Sequence, residues 1–119
     1  MTMRLRDVAD LLGCQVVTGD ERLDRIEVDA CFAADLMSDV LAFSRAGALL
    51  ITGLASLQAA HTADVADLSG VLFVSGKRPA PAVVELACEN NLPLLSTTLS
   101  MFETCGRLFQ AGLGSAVRR

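Results

Sequence analysis

The stretch from residue 70 to residue 100 reads GVLFVSGKRPAPAVVELACENNLPLLSTTLS, and its order of apolar and polar segments decides the fold. Residues 71–74 and 92–95 are short apolar runs, which are typical of buried strands. Between them, Pro81 suits the start of a helix, where a missing N–H costs nothing. Asn91 suits its end, because Asn tolerates the left-handed conformation. Two buried strands joined by a helix predict parallel pairing, with both faces of the sheet covered.

The same order of apolar strand, turn and helix occurs three times, beginning at Ala48, Val71 and Leu92. Crossovers of this kind are almost always right-handed. The pattern predicts a single α/β domain with a mostly parallel sheet of about five strands and flanking helices. We divide it into an N-terminal helix and hairpin over residues 1–34, the repeated units over 35–112, and a frayed tail over 113–119.

The N-terminal part shows helical spacing first and strand-like alternation afterwards. Residues 4–12 predict a short amphipathic helix that Gly13 ends. Residues 14–18 predict a strand. A second strand, over residues 23–33, is expected to pair with it and complete the hairpin.

Three further helices are predicted from composition and capping. Ser38 is a suitable N-cap for a helix that runs to Ala46. Residues 55–67 are helical in composition, with an apolar side formed by Leu57, Ala60, Val65 and Leu68. Ser100 and Glu103 fit a capping box at the start of the last helix. On that helix, one face is expected to carry Phe102, Cys105, Gly106 and Phe109.

Composition and charge exclude several classes of function. The net charge is −4 and the basic residues are scattered, so we expect no nucleic-acid partner. No apolar run approaches the ~20 residues of a membrane span, and the N-terminus does not resemble a signal peptide. We therefore expect a cytoplasmic protein with no membrane contact. Its four cysteines form no Cys-x-x-Cys pair and His61 is the only histidine, so no metal site is predicted.

Polar residues follow each of the three predicted parallel strands. Ligands of such sheets bind beyond the carboxyl ends of the strands, and helix N-termini favour anions. No dinucleotide fingerprint or Walker loop is present. An alternative is that these are ordinary turn residues with solvated cations. The candidate ligand-binding residues are Thr52, Gly53, Ser75, Gly76, Lys77, Thr97 and Thr98.

Short segments along nearly the whole chain match one known family in order and spacing. They are LRDVADLLGCQVVTG (5–19), LDR (23–25), SDVL (38–41), LITG (50–53), GVLFVSG (70–76) with Pro79, NLPLLST (91–97), and FE (102–103) with GRL (106–108). The chain thus resembles a stand-alone DRTGG domain, which is itself similar to the N-terminal domain of HPr kinase/phosphorylase.

This resemblance implies a ligand-sensing or interaction module and not an enzyme, since the kinase machinery belongs to a different domain. In relatives the domain accompanies adenine-nucleotide-sensing modules, and short forms occur with iron hydrogenases and two-component signalling. The resemblance therefore implies no catalytic residues and no cofactor, with an adenine nucleotide as the candidate ligand. A redox-enzyme or signalling protein is the candidate partner.

The chain departs from the pattern that gives the family its name. Leu54 and Ala55 follow Thr52-Gly53, where the family has an Asp-Arg pair. The family's Thr-Gly-Gly becomes Ser75-Gly76-Lys77, so a cation replaces the second glycine. We expect Lys77 to supply a replacement charge for any ligand at this edge.

Two functions remain open, and a third is weaker. The first is a regulatory module that binds an anion, such as an adenine nucleotide, at the strand ends. The second is a ligand-free interaction or scaffold subunit that works as a homodimer in a redox-enzyme or signalling assembly. A phosphoryl-accepting receiver would need acidic residues at the strand ends near Lys77, and those turns contain no Asp.

Overall fold

The computed structural model describes residues 1–117. In this part of the chain the helices are α1 (Leu5–Leu12), α2 (Met37–Phe43), α3 (Leu57–Val65), α4 (Pro81–Glu89) and α5 (Met101–Gln110), with a short 3-10 turn at Asp20–Arg22. The strands are β1 (Met3–Arg4), β2 (Gln15–Thr18), β3 (Glu27–Val28), β4 (Ala30–Ala33), β5 (Leu49–Thr52), β6 (Gly70–Phe73), β7 (Leu94–Ser96) and β8 (Gly114–Ser115).

The main sheet of residues 1–117 has six strands in the order β2-β7-β6-β5-β4-β8. The pairs from β7 through to β8 are parallel, and only β2 runs antiparallel to its neighbour β7. The predicted α/β fold with a mostly parallel sheet is confirmed, and so are the three predicted strands that became β5, β6 and β7. No helix in the described part of the chain is both long and apolar enough to cross a membrane.

Two apolar cores lie on opposite faces of this sheet, because successive side chains of a strand point to opposite sides. On one face Leu49 and Ile51 pack with residues of α1 and with Leu108 of α5. On the other face Leu50 and Phe73 pack with residues of α2, α3 and α4. All of these named strand side chains are completely buried.

The predicted N-terminal hairpin is wrong. β2 pairs with β7, and residues 23–33 do not form one strand. Instead β3 pairs with β1, while β4 joins the main sheet beside β5. The physical reason lies in the two adjacent valines of β2: Val16 packs into the core beneath α1 and α5, and Val17 into the other core. A strand with apolar side chains on both faces belongs in the covered sheet and not in an exposed hairpin.

The predicted frayed tail is wrong for residues 113–117. β8 pairs in parallel with Ala30 and Cys31 of β4. Leu113 and Ala116 are buried, and this apolar area holds the segment against the sheet. Residues 118–119, which belong to the same prediction, lie outside the described part of the chain.

Two predicted helices form with different details. α2 begins at Met37, has Leu36 at its N-cap position without a side-chain cap, and ends at Phe43, so Ser38 lies inside it. Met37 is buried against the sheet, so the helix begins one residue before Ser38. In α3 the predicted apolar side is correct for Ala60 and Leu68, which are buried, and wrong for Leu57 and Val65, which are 50% and 60% exposed. Its buried residues are instead mainly alanines, whose small side chains allow the helix to approach the sheet closely.

The predicted helix ends are confirmed where local chemistry alone determines them. Gly13 ends α1 with a φ of +60°, and Asn91 follows α4 with a φ of +56°. At the start of α5, Ser100 Oγ accepts a hydrogen bond from Glu103 N at 3.2 Å, and the Glu103 carboxylate reaches back to Ser100 N. The capping box is therefore complete.

Candidate functional site

The sequence-predicted ligand residues lie together at the carboxyl ends of β5, β6 and β7. Hydrogen bonds join the turns that follow these strands. Val74 N donates to Thr52 O at 3.1 Å, Gly76 N donates to Thr97 O at 2.8 Å, and Ser96 Oγ donates to Lys77 O at 2.8 Å. The three polar turns therefore form one continuous edge, as parallel pairing requires.

Thr52 and Gly53 already hold an anionic group of the protein itself. Asp35, in the loop after β4, accepts on its Oδ1 atom a hydrogen bond from Thr52 Oγ1 at 2.9 Å and another from Gly53 N at 2.8 Å. Thr52 is completely buried, and its hydroxyl also accepts from Leu54 N at 3.1 Å. This part of the edge is an anion-binding arrangement whose present occupant is the Asp35 carboxylate.

The turn after β6 uses its main-chain donors internally. Ser75 and Gly76 both have positive φ angles, +59° and +70°. Ser75 N donates to Leu99 O at 2.7 Å, and Lys77 N donates to Val74 O at 3.1 Å. Because these N–H groups are paired within the chain, the turn is not a main-chain phosphate cradle, and its contribution to a site would come from exposed side chains.

The turn after β7 divides into a structural residue and an exposed one. Thr97 is buried; its hydroxyl donates to Leu12 O at 2.9 Å and accepts from Leu99 N at 3.3 Å. It thus fastens α1 to the end of β7. Thr98 is exposed and faces solvent at the same edge.

Two cations and one amide complete this edge. Lys77 and Arg78 are both exposed, and the Arg78 guanidinium donates to Gln15 Oε1. In residues 1–117 no carboxylate forms an ion pair with Lys77. Gln15 reaches the edge because β2 is antiparallel and begins where β7 ends.

Sequence reasoning missed two residues of this edge. It did not single out Asp35, whose carboxylate links the loop after β4 to the end of β5. It also missed Gln15, because its position depends on the β2–β7 pairing. α3, the helix after Thr52 and Gly53, adds a further feature. Ser56, at its N-cap position, has a buried Oγ with no hydrogen-bond partner in the described chain.

A second concave surface, which we call the groove, lies between α5 and the edge of the sheet formed by β4 and β8. Its volume is about 580 Å³. Phe102 and Phe109 stand at its rim, 87% and 77% exposed. Among residues 1–117, none of those that line it is charged. They are Cys31, Phe32, Ala33, Ile51, Phe102, Cys105, Gly106, Leu108, Phe109, Leu113, Gly114, Ser115 and Val117.

The groove confirms that Phe102, Cys105, Gly106 and Phe109 share one face of the last helix. Burial raises the pKa of the Cys31 thiol to about 12, and burial also raises that of Cys105. Both thiols are therefore protonated at neutral pH and act as small apolar groups. Among residues 1–117 no cluster of three or more His, Cys, Asp or Glu side chains is arranged to hold a metal ion.

Comparison with known families identifies the domain. The model of the DRTGG domain matches residues 7–111 of the 119-residue chain. The chain belongs to the DRTGG domain family. No curated protein matches it.

One similar solved structure contains the CBS and DRTGG domains of the regulatory region of Clostridium perfringens pyrophosphatase, complexed with its activator diadenosine tetraphosphate. The TM-score is 0.72 at 17% sequence identity, and the match covers 92% of this chain and 47% of that one. The likeness is therefore one of fold, and this chain spans about half the length of the regulatory region.

Proposed function

We propose that this DRTGG domain is a non-catalytic, cytoplasmic regulatory module that senses an anionic small molecule at the carboxyl edge of its parallel strands. An adenine nucleotide is the first candidate ligand. The observation that carries the proposal is the hydrogen-bonded Asp35 carboxylate on Thr52 Oγ1 and Gly53 N. An edge that binds its own carboxylate through a hydroxyl and a main-chain N–H has donors suited to a phosphate oxygen as well.

Charge at the same edge supports this proposal. Lys77 is exposed and unpaired by any carboxylate in residues 1–117, and Arg78 lies next to it with an uncharged partner, Gln15. These cations would attract a polyphosphate, whose charge exceeds that of one carboxylate, and would help it to displace Asp35. The fold is shared with a regulatory region that was solved with a nucleotide activator, which supports the choice of adenine nucleotides.

The test is thermal unfolding with and without millimolar AMP, ADP, ATP and inorganic phosphate. A ligand that binds only the folded state at a hundred times its dissociation constant stabilises it by about 2.7 kcal/mol. In a domain of this size that corresponds to a rise in Tm on the order of 10 °C. We expect the rise to be lost in Lys77→Ala and kept in Arg25→Ala, which removes an exposed cation elsewhere.

The Asp35→Ala variant shows whether the ligand displaces the Asp35 carboxylate or binds beside it. If the ligand takes over the Thr52 and Gly53 donors, removing their present partner should tighten nucleotide binding. Weaker or unchanged binding in Asp35→Ala would show that the ligand does not use those donors. Unchanged Tm values with all four ligands would overturn the sensing proposal.

A second candidate function is an interaction or scaffold subunit in a redox-enzyme or signalling assembly. The groove favours it, since a monomer rarely leaves two phenylalanines exposed beside an apolar cavity. Substitution separates the two candidates. Lys77→Ala should abolish ligand binding and leave assembly intact. A charged residue introduced into the groove should abolish assembly and leave ligand binding intact.

A further inference from the structure

The two faces of the main sheet are covered unequally. Its six strands, each about 4.8 Å wide, together cover about 29 Å, and a helix with its side chains is about 10 Å wide. Roughly three helices are thus needed to cover one face. Within residues 1–117, α2, α3 and α4 pack on one face, whereas two helices, α1 and α5, pack on the other together with Leu23 and Val28 of the segment before β4. The second face is short of one helix.

The missing helix position is the groove. Its floor is formed by β4 and β8, with Ile51 of β5, and its wall by α5. The opposite side of β4 is buried under α2, as the burial of Ala30 and Val40 shows. The groove is therefore the part of the sheet that α1 and α5 leave open, at the end farthest from β2.

The wall of the groove is α5, and its exposed apolar face is the type of surface that could fill an apolar groove. α5 presents Phe102 and Phe109, which are the most exposed large side chains of that helix, with Gly106 between them. A Cβ added at Gly106 would meet no atom within 4 Å, so this position is open to close approach by another element. Concave apolar floor and protruding apolar helix lie next to each other on one continuous surface.

We propose that a second copy of this chain fills the groove, so that α5 of each copy covers the open β4–β8 surface of the other. The two α5 helices would lie side by side and antiparallel, with the two-fold axis near Cys105 and Gly106. Phe102 and Phe109 are equally far from that point in sequence, so Phe102 of each copy would approach Phe109 of the second copy. Each sheet would then have three helices on both faces.

The occupant is a second copy because the patch is self-complementary. A two-fold dimer uses the same surface on both subunits and closes on itself. Docking of the groove onto a different apolar helix, such as the exposed Leu57 and Val65 side of α3, would leave a free groove at each end and continue into a chain of molecules. Only a contact through α5 buries both the groove and the two exposed side chains, Phe102 and Phe109, in the same interface.

The exposed area is of the right size. At about 80% exposure, and about 200 Å² for a whole side chain, Phe102 and Phe109 would bury about 300 Å² per copy. The four rings of a dimer would supply about 600 Å², which is more than half of the about 1,000 Å² that a specific interface requires. The floor and Val117, which is 39% exposed, supply the remainder.

The test is the mass of the 119-residue chain in solution, by light scattering and sedimentation velocity over a range of micromolar concentrations. We expect a species of twice 12.5 kDa that dissociates on dilution. Phe109→Glu and Gly106→Arg should both give a folded monomer. Gly106→Arg is the sharper variant, because the open space at this position lets a single subunit accept the side chain, whereas the dimer cannot.

Val65→Glu is the matched control, since it places a carboxylate on an exposed apolar position of α3. It should remain dimeric. A wild-type chain that stays monomeric at high concentration would overturn the proposal, and so would a dimer that survives both α5 substitutions or is lost in Val65→Glu. The α5 contact rests on the scaffold candidate, whose homodimer it assigns to one surface. Its outcome is independent of nucleotide binding, which is measured separately through Tm and Lys77→Ala.

Discussion

Asp35 Oδ1 accepts a hydrogen bond from the buried hydroxyl of Thr52 at 2.9 Å, and this bond joins the end of β4 to the end of β5. Asp35→Ala would leave the Thr52 hydroxyl, which has no solvent exposure, without an acceptor. We expect the free energy of unfolding to fall by about 1–3 kcal/mol in the absence of ligand. Urea unfolding measures the change.

Asp10→Ala is the control for this variant, since Asp10 is an exposed carboxylate on α1. It should change the free energy of unfolding by no more than about 0.5 kcal/mol. Equal effects of the two substitutions would contradict a special role for the Asp35–Thr52 bond.

In the described part of the chain, two serines occupy helix N-cap positions, but only Ser100 caps its helix with its side chain. Ser100 Oγ accepts from Glu103 N in a complete capping box, whereas Ser56 Oγ is buried without a partner in the described residues. Ser100→Ala should therefore cost about 1 kcal/mol. Ser56→Ala should be neutral or slightly stabilising, because it removes a buried unpaired hydroxyl. Chemical denaturation of both variants measures the difference, and a larger loss for Ser56→Ala would contradict the assignment.

Alanine substitutions at Gly19 and Gly13 test the pairing of β2 with β7. Both have positive φ, +88° and +60°, so alanine is strained at either position. At Gly19 a Cβ would also lie 2.9 Å from Pro93 Cα, next to β7, whereas at Gly13 it would meet no atom within 4 Å. Gly13→Ala should cost about 1 kcal/mol through strain alone. Gly19→Ala should cost clearly more in the same unfolding assay, and similar losses would argue against the close approach of the two segments.

The four thiols should differ in reactivity. Cys88 is exposed, whereas burial raises the pKa of Cys14 to about 11 and that of Cys31 to about 12. Because the thiolate is the reactive form, these two half-buried thiols stay protonated and slow near neutral pH. Labelling the native protein with a disulfide reagent should show one fast thiol, which Cys88→Ser removes. The slow thiols should accelerate as the pH rises toward their raised pKa values, and any fast thiol that remains in Cys88→Ser would refute the assignment.

Patterns of adjacent residues determined much of this protein from the sequence alone. The apolar runs of β5, β6 and β7, the Asn91 helix end and the Ser100–Glu103 capping box all follow from short-range chemistry, so they were predicted correctly. The parallel order of those strands follows from the helices between them. It also brought the candidate ligand turns to one edge, as expected.

Only the tertiary structure decided which distant segments meet. β2 crosses to β7 because Val16 and Val17 need cover on both faces, and the tail returns to β4 because Leu113 and Ala116 bury. The partner of Thr52 is Asp35, seventeen positions away, and no local pattern identifies it. The groove likewise depends on how many helices reach each face of the sheet. Which side chains are buried, and which polar groups pair, depends on segments that are far apart in the sequence. The Asp35–Thr52 edge and the groove, on which the proposed functions depend, could therefore be seen only in the folded structure.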